Sequence, residues 1–276
     1  MERRRHAWNQ GHVHEPLRGP FTTIDERRAR EYDELGFFVL PSVFSADELM
    51  RLDAAIEPGA AMVRGLLEQL PGGRLSVAGL DTQTVAPNMV ATSDVLAAAC
   101  RHPTLLGVCA DVLGPDIRLY WEQAVYKQPH SAAPVLWHQD NGYTYVEPQS
   151  YLTCWIAITD ATLDNGCISV VPGAHLDGTL AHQETPIGQE CWGDWDRAVD
   201  VPVRAGDVVV FSSLTPHATR ENRTDEVRKA YIVQYVPDGA VARDPGPDGA
   251  QGPPRELDDP VLNALVLAGG RPVNRD

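Results

Sequence analysis

The chain has 276 residues, 43% of them hydrophobic, which is enough for one large domain with a sizeable core. Its 38 acidic residues against 23 basic ones leave a net charge of −15 at pH 7, which argues against nucleic acid or an anionic membrane surface as a partner. No run of 18 apolar residues occurs, and no apolar stretch follows the charged Met1–Arg5, so neither a membrane span nor a signal peptide is expected. The five cysteines (Cys100, Cys109, Cys154, Cys167 and Cys191) are odd in number and lack C-x-x-C spacing. They read as reduced, buried thiols of a cytoplasmic protein.

Residues 1–24 are polar, with Gly11, Pro16, Gly19 and Pro20, and are expected to form a loose arm. His6, His12 and His14 lie there with no carboxylate or cysteine spaced to complete a metal site. Ile24–Leu35 reads as a short helix closed by Gly36, and Phe37–Leu40 as a buried strand ended by Pro41. Ser45 and Glu48 form a capping box for a helix through Leu49, Leu52 and Ile56, which Pro58-Gly59 is expected to interrupt before a second piece reaches Leu70. Further helices start at Ser93 and at Pro103, the latter ending at Gly114. Residues 25–115 are thus expected to be mainly helical.

After Pro115 the pattern becomes β-rich: Ile117–Lys127, the segment before His138, Tyr151–Thr159, Cys167–Val171, Asp207–Phe211 and Lys229–Val236. At least six strands without helices between them imply an antiparallel sandwich or barrel, with its core in 116–237. No linker near residue 115 separates the halves, so 1–276 reads as a single domain. The excursion 178–203 is expected to form a rim or lid, and the Pro/Gly-rich 238–276 an irregular tail.

The chemistry centres on His138-Gln139-Asp140. On an extended segment, residues two apart point to one side, so both side chains can serve one site. A lone His-x-Asp is more often an unremarkable surface pair, and His175-Leu176-Asp177 in the same chain, just after the Pro172-Gly173 turn, is assigned to that class. His138 instead follows a β segment, with Trp137 and Tyr143 available to wall a pocket. His217, after the Asp207–Phe211 strand, offers a third ligand. Two imidazoles and one carboxylate suit non-haem Fe(II) and leave three positions open. An oxo-acid on two of those positions needs a cation for its far carboxylate, and Arg228, at the start of the next strand, suits that role through its planar fork.

With WHQD (137–140), CWIAITDATLDNGCISVVPGAH (154–175) and HATRENRTDEVRKA (217–230), the chain resembles the phytanoyl-CoA dioxygenase family of Fe(II)/2-oxoglutarate oxygenases over about Ile117 to Val236. The resemblance implies a mainly β fold with α additions: a double-stranded β-helix, or jelly-roll barrel, flanked by N-terminal helices. It implies His138, Asp140 and His217 as iron ligands and Arg228 and Thr219 at the distal carboxylate of 2-oxoglutarate. Trp155 and Gln123 would line the co-substrate pocket. The implied cofactors are Fe(II), 2-oxoglutarate and O2, and the implied products succinate, CO2 and a hydroxylated small molecule. Related iron halogenases carry Ala or Gly where Asp140 stands, so hydroxylation is expected. Tyr126, Tyr143 and Trp192 are candidates for an aromatic substrate pocket, with core packing as the alternative for each. A secondary metabolite is the expected substrate, with an acyl-CoA as the alternative. A cupin-type metalloenzyme that uses no oxo-acid and a binding protein without turnover are the competing classes.

Overall fold

The helices begin and end where the caps dictate. In a computed structural model that describes residues 2–246 and 250–274, Asp25 accepts from the Arg28 N–H and opens a helix over Glu26–Leu35. Gly36 closes it at φ 84°, its N–H on the Tyr32 carbonyl. The Ser45/Glu48 capping box forms as expected and opens Ala46–Glu68. That helix runs unbroken through Pro58, where two pieces were expected. A proline inside a helix costs about 3 kcal/mol. Leu52, Ile56 and Leu67 are all buried along the helix, at roughly 1.5–3 kcal/mol each, and together outweigh it. Gly59 leaves the room that Met89 fills: a Cβ there would stand 2.6 Å from the Met89 sulfur. Helices Asp94–Ala99 and Pro103–Leu113 complete the layer. The same region also holds Gln83–Pro87, a strand that the helical expectation missed.

Two antiparallel sheets carry the rest. The larger has the order Phe37–Leu40, Val208–Ser212, Leu152–Ala157, Arg228–Pro237, Ile117–Lys127, Gln83–Pro87, followed by two short pieces. The smaller has the order Val199–Val201, Ile168–Val170, His217–Thr219, Val135–His138. Alternation along Val208–Phe211 shows how the layers are separated. Val208 and Val210 pack with Ile56, Leu96 and Leu105 of the helices, whereas Val209 and Phe211 pack with Trp155, Ile168 and Val170 between the sheets. This is the mainly β, jelly-roll arrangement with helices on one outer face.

The arm and the tail are more ordered than their composition suggests. The arm has almost no regular structure but is bonded along its length; the N–H groups of Thr22, Thr23 and Ile24 all donate to the Asp111 carboxylate. In the tail, Val241–Pro245 pairs with both Tyr145–Glu147 and Gln251–Glu256, and Leu265–Ala268 pairs with the start of Ile117–Lys127. Pro253 and Pro254 are accommodated because Gln251–Glu256 is an edge strand. Of the expected irregular tail, 247–249 and 275–276 lie outside the described residues. Within 178–203, Gln183–Thr185 and Gly188–Glu190 form a hairpin. Among the described residues no helix is long and apolar enough to cross a membrane.

Candidate metal centre

The ladder of the smaller sheet brings the two histidines together. His217 and His138 are Cα partners on adjacent strands, and their ring centroids lie 4.1 Å apart. The strand ends at His138, and Asp140 begins a short helical turn over Asp140–Tyr143. Gln139 stays extended (φ −109°, ψ 143°), so Asp140 still returns to the side of His138. The Asp140 Oδ1 lies 3.8 Å from the His217 Nε2, and one ligand atom from each of the three residues lies within 4.8 Å of the others. Each imidazole donates its Nδ1–H to the carbonyl two residues back, His138 to Leu136 at 2.8 Å and His217 to Thr215 at 3.0 Å. That bond fixes the tautomer and leaves the Nε2 lone pair for a metal. Thr153 donates its hydroxyl to Asp140 Oδ2 at 2.5 Å, leaving Oδ1 facing the imidazoles. Burial, and His217 next to it, push the His138 pKa well below the usual range, so its ring is neutral and able to coordinate. This donor set fits a ferrous ion with three open positions.

The second part of the site is cationic. Arg228 opens its strand opposite Lys127, is 1% exposed, and has no hydrogen-bond partner for Nε or Nη1. A buried guanidinium with idle donors is unfavourable on its own and is the group that a carboxylate would satisfy. It sits 5.3 Å from the Trp155 ring. Lys127, also 1% exposed, donates to the Thr219 hydroxyl and to the Ala133 carbonyl, both at 3.0 Å. Burial and the adjacent Arg228 push its pKa down to about 7. Gly166 of the Asn165-Gly166-Cys167 turn closes this end: at φ 80°, a Cβ there would stand 2.6 Å from the Arg220 carbonyl and 3.2 Å from the Lys127 Cδ.

Arg228, Thr219 and Trp155 are brought together, with Lys127 among them unannounced. A lysine at the end of a β-rich run reads as a solvated terminus; only its register opposite Arg228 reveals it. Gln123 is half-buried farther along the same strand, opposite Ile232, and accepts from the Trp121 indole at 3.2 Å. Tyr143 is 41% exposed, with its ring edge-on to His138 at 5.4 Å, which puts it at the mouth. Tyr126 is not in the pocket. Strand alternation turns it to the helical layer, where its hydroxyl donates to Asp53 at 2.6 Å. Trp137 alternates away from His138 onto the outer face of the smaller sheet, and Trp192 packs against it there, under the Arg3 guanidinium at 4.7 Å. His175 is buried in the Ala174–Asp177 turn beside His14, and Asp177 pairs with Arg3, so this triplet is structural. All five cysteines are free and buried.

Residues 32–230 match the pattern of the family described as phytanoyl-CoA dioxygenase. Phytanoyl-CoA dioxygenase domain-containing protein 1 of Rattus norvegicus is 33% identical over 133 residues, 44% of this chain and 46% of that protein. The chain therefore matches about half the length of such relatives. A probable alpha-ketoglutarate-dependent hypophosphite dioxygenase of Stutzerimonas stutzeri is 25% identical across 75% of this chain and 77% of its own. Among solved structures, the non-heme alpha ketoglutarate dependent carbocyclase SnoK from nogalamycin biosynthesis superposes with a TM-score of 0.69 at 29% identity, covering 90% of this chain and 99% of that one. EvdO2 of Micromonospora carbonacea var. aurantiaca, complexed with 2-oxoglutarate, shares the fold at a TM-score of 0.62 and 24% identity, over 87% of this chain and 95% of its own. The match spans the helical layer and the barrel that carries the three side chains that could hold a metal, and the chain belongs to the phytanoyl-CoA dioxygenase family.

Proposed function

We propose that this protein is an Fe(II)/2-oxoglutarate-dependent dioxygenase that hydroxylates an aliphatic C–H bond of a small secondary metabolite. The observation that carries the reading is Arg228, buried, without a partner for two of its donors, on the strand opposite Lys127 and over Trp155. A metalloenzyme using no oxo-acid has no use for that cation. His138, Asp140 and His217 would hold the iron, while Arg228, Thr219 and Lys127 would take the far carboxylate of 2-oxoglutarate. When bound, iron and the oxo-acid would supply the O2 activation, with succinate and CO2 released alongside the oxidised substrate. The chain's part is to orient the C–H bond: Tyr143 borders the entrance, and Thr153 keeps the Asp140 carboxylate turned toward the imidazoles. Asp140 would supply the carboxylate ligand that the related halogenases lack, which favours hydroxylation.

The carbocyclase from nogalamycin biosynthesis supports a secondary-metabolite substrate. The net charge of −15 weighs against an acyl-CoA, whose phosphates would meet an acidic surface. The test is anaerobic titration with Fe(II) and 2-oxoglutarate, followed by succinate release across a panel of polycyclic, glycosylated and acyl-CoA substrates. Substrate-dependent succinate with a polycyclic or glycosylated compound is expected. Metal binding without 2-oxoglutarate binding would reject the proposal in favour of the oxo-acid-free class.

A further inference from the structure

The sheet ladder positions His138 and His217, but it does not position Asp140, which stands on a four-residue helical turn beyond the end of its strand. Both of its chain neighbours are fully buried and bonded to a segment beneath that turn. Gln139 donates through Nε2 to the Gly178 carbonyl at 3.0 Å and the Leu214 carbonyl at 2.5 Å, and its Oε1 accepts from the Leu180 N–H at 2.6 Å. The Gln139 N–H donates to His182 Nε2 at 3.0 Å, and His182 returns its Nδ1–H to the Leu180 carbonyl at 2.9 Å. The His182 ring lies so close to the turn that a Cβ on Gly142 would stand 2.1 Å from its Cε1. On the other side, Asn141 donates to the Thr179 hydroxyl at 2.7 Å and accepts from the Val146 N–H at 2.8 Å.

Segment 178–182 is not part of either large sheet, and the N-terminal arm holds it. The His6 N–H donates to the Thr179 carbonyl and the Ala181 N–H to the Arg4 carbonyl, both at 2.8 Å, with Arg5 bridged to Leu180. Asn9, itself buried, donates to the carbonyls of Asp177 at 2.8 Å and Thr179 at 3.0 Å. Its Oδ1 accepts from Gln149, whose own oxygen takes the Thr179 N–H and hydroxyl, both at 2.9 Å. Tyr145 adds a bond from its hydroxyl to the Trp8 carbonyl at 2.9 Å. The result is a continuous buried polar network from Asn9 to the two neighbours of Asp140. Such a network, when satisfied, specifies one arrangement of the groups it holds.

We infer that residues 3–9 are a positioning element of the metal centre, setting the Asp140 carboxylate against the two imidazoles through 177–182, Gln139 and His182. The inference rests on the triad as the metal site. Groups one layer out from a metal typically change its affinity 10- to 100-fold. Cobalt(II), which reports its coordination by visible absorption and needs no O2 or substrate, is the probe. Asn9→Ala is expected to weaken cobalt binding by on the order of tenfold and to alter the cobalt spectrum. Tyr145→Phe, which removes one hydroxyl and little volume, is expected to shift both in the same direction by less. Thr22→Ala, whose arm contact is to the distant Asp111, is expected to change neither. A lowered melting temperature in both Asn9→Ala and Tyr145→Phe, with cobalt affinity and spectrum unchanged, would make the arm a cover only and overturn the inference. His138→Ala separates the two levels: cobalt lost there but unaffected by Asn9→Ala rejects the arm's role alone, whereas cobalt retained there rejects the metal assignment itself.

Discussion

Two His-x-Asp triplets occur in this chain, and their fates differ because of the residue in the middle. In His138-Gln139-Asp140 the central residue is extended, at φ −109° and ψ 143°, so imidazole and carboxylate converge on one side, where His217 joins them. In His175-Leu176-Asp177 the backbone is a tight helical turn. Successive residues of such a turn point about 100–120° apart, so positions two apart diverge. His175 accordingly packs inward on His14, and Asp177 turns out to Arg3. Spacing alone has no chemical meaning; spacing on a stated backbone does.

The largest expected contrast is direct. Asp140→Ala should abolish succinate formation and weaken cobalt binding by at least 100-fold, an effect at the upper end of what a lost ligand's neighbours cause. Asp177→Asn, which removes only the pair with Arg3, should leave succinate formation in place and weaken cobalt binding far less; equal losses in the two variants would erase the distinction between the triplets. Next comes Arg228→Leu. It should weaken 2-oxoglutarate binding about 10- to 100-fold, since a hydrogen bond to a charged group contributes about 1.5–3 kcal/mol. It should also raise the melting temperature of the ligand-free protein, because an unpaired buried cation is removed. Calorimetry with and without 2-oxoglutarate reads both effects, and a lowered melting temperature would show that the cation is already satisfied.

The third contrast is in pH. The Lys127 pKa lies at about 7 in the fold against the usual 10.5, so between these values the unfolded chain holds a proton that the folded chain lacks. Its contribution to stability therefore rises with pH across that window and is lost as pH falls through about 7. A bound carboxylate would return the proton, so 2-oxoglutarate affinity should fall as pH climbs from 7 to 9. Lys127→Met should flatten both slopes, and slopes as steep as the parent's would mean that Lys127 does not titrate here. The smallest effect belongs to the structural triplet. Burial pushes the His175 pKa down to about 4 from 6.5, so the fold loses stability as pH falls from 6.5 toward 4. His175→Gln should reduce that acid sensitivity of the melting temperature without altering metal binding at pH 7.

Much of this was legible from residue order. The capping box at Ser45, the apolar strands and the extended His138-Gln139-Asp140 are local patterns whose physics is local, whereas His217 meets that pair only through the ladder of the smaller sheet. What failed depended on partners far along the chain. Pro58 looks like a helix end until the burial of Ile56 and Leu67 is known. Tyr126 and Lys127 are adjacent in a uniformly β-rich run; which of them faces the barrel is set by pairing with Lys229 and Arg228. Trp192 looked like a pocket aromatic because nothing in its sequence shows the outer face of Trp137 beside it.

The outermost strand of the three-stranded sheet, Gln251–Glu256, has a further consequence. Adjacent strand residues aim their backbone nitrogens at opposite edges, so of Pro253 and Pro254 one faces outward, and a second chain trying to extend the sheet there would meet a missing rung. The segment that looked too rich in Pro and Gly to fold is where the sheet stops, and its composition keeps it from growing into a neighbour.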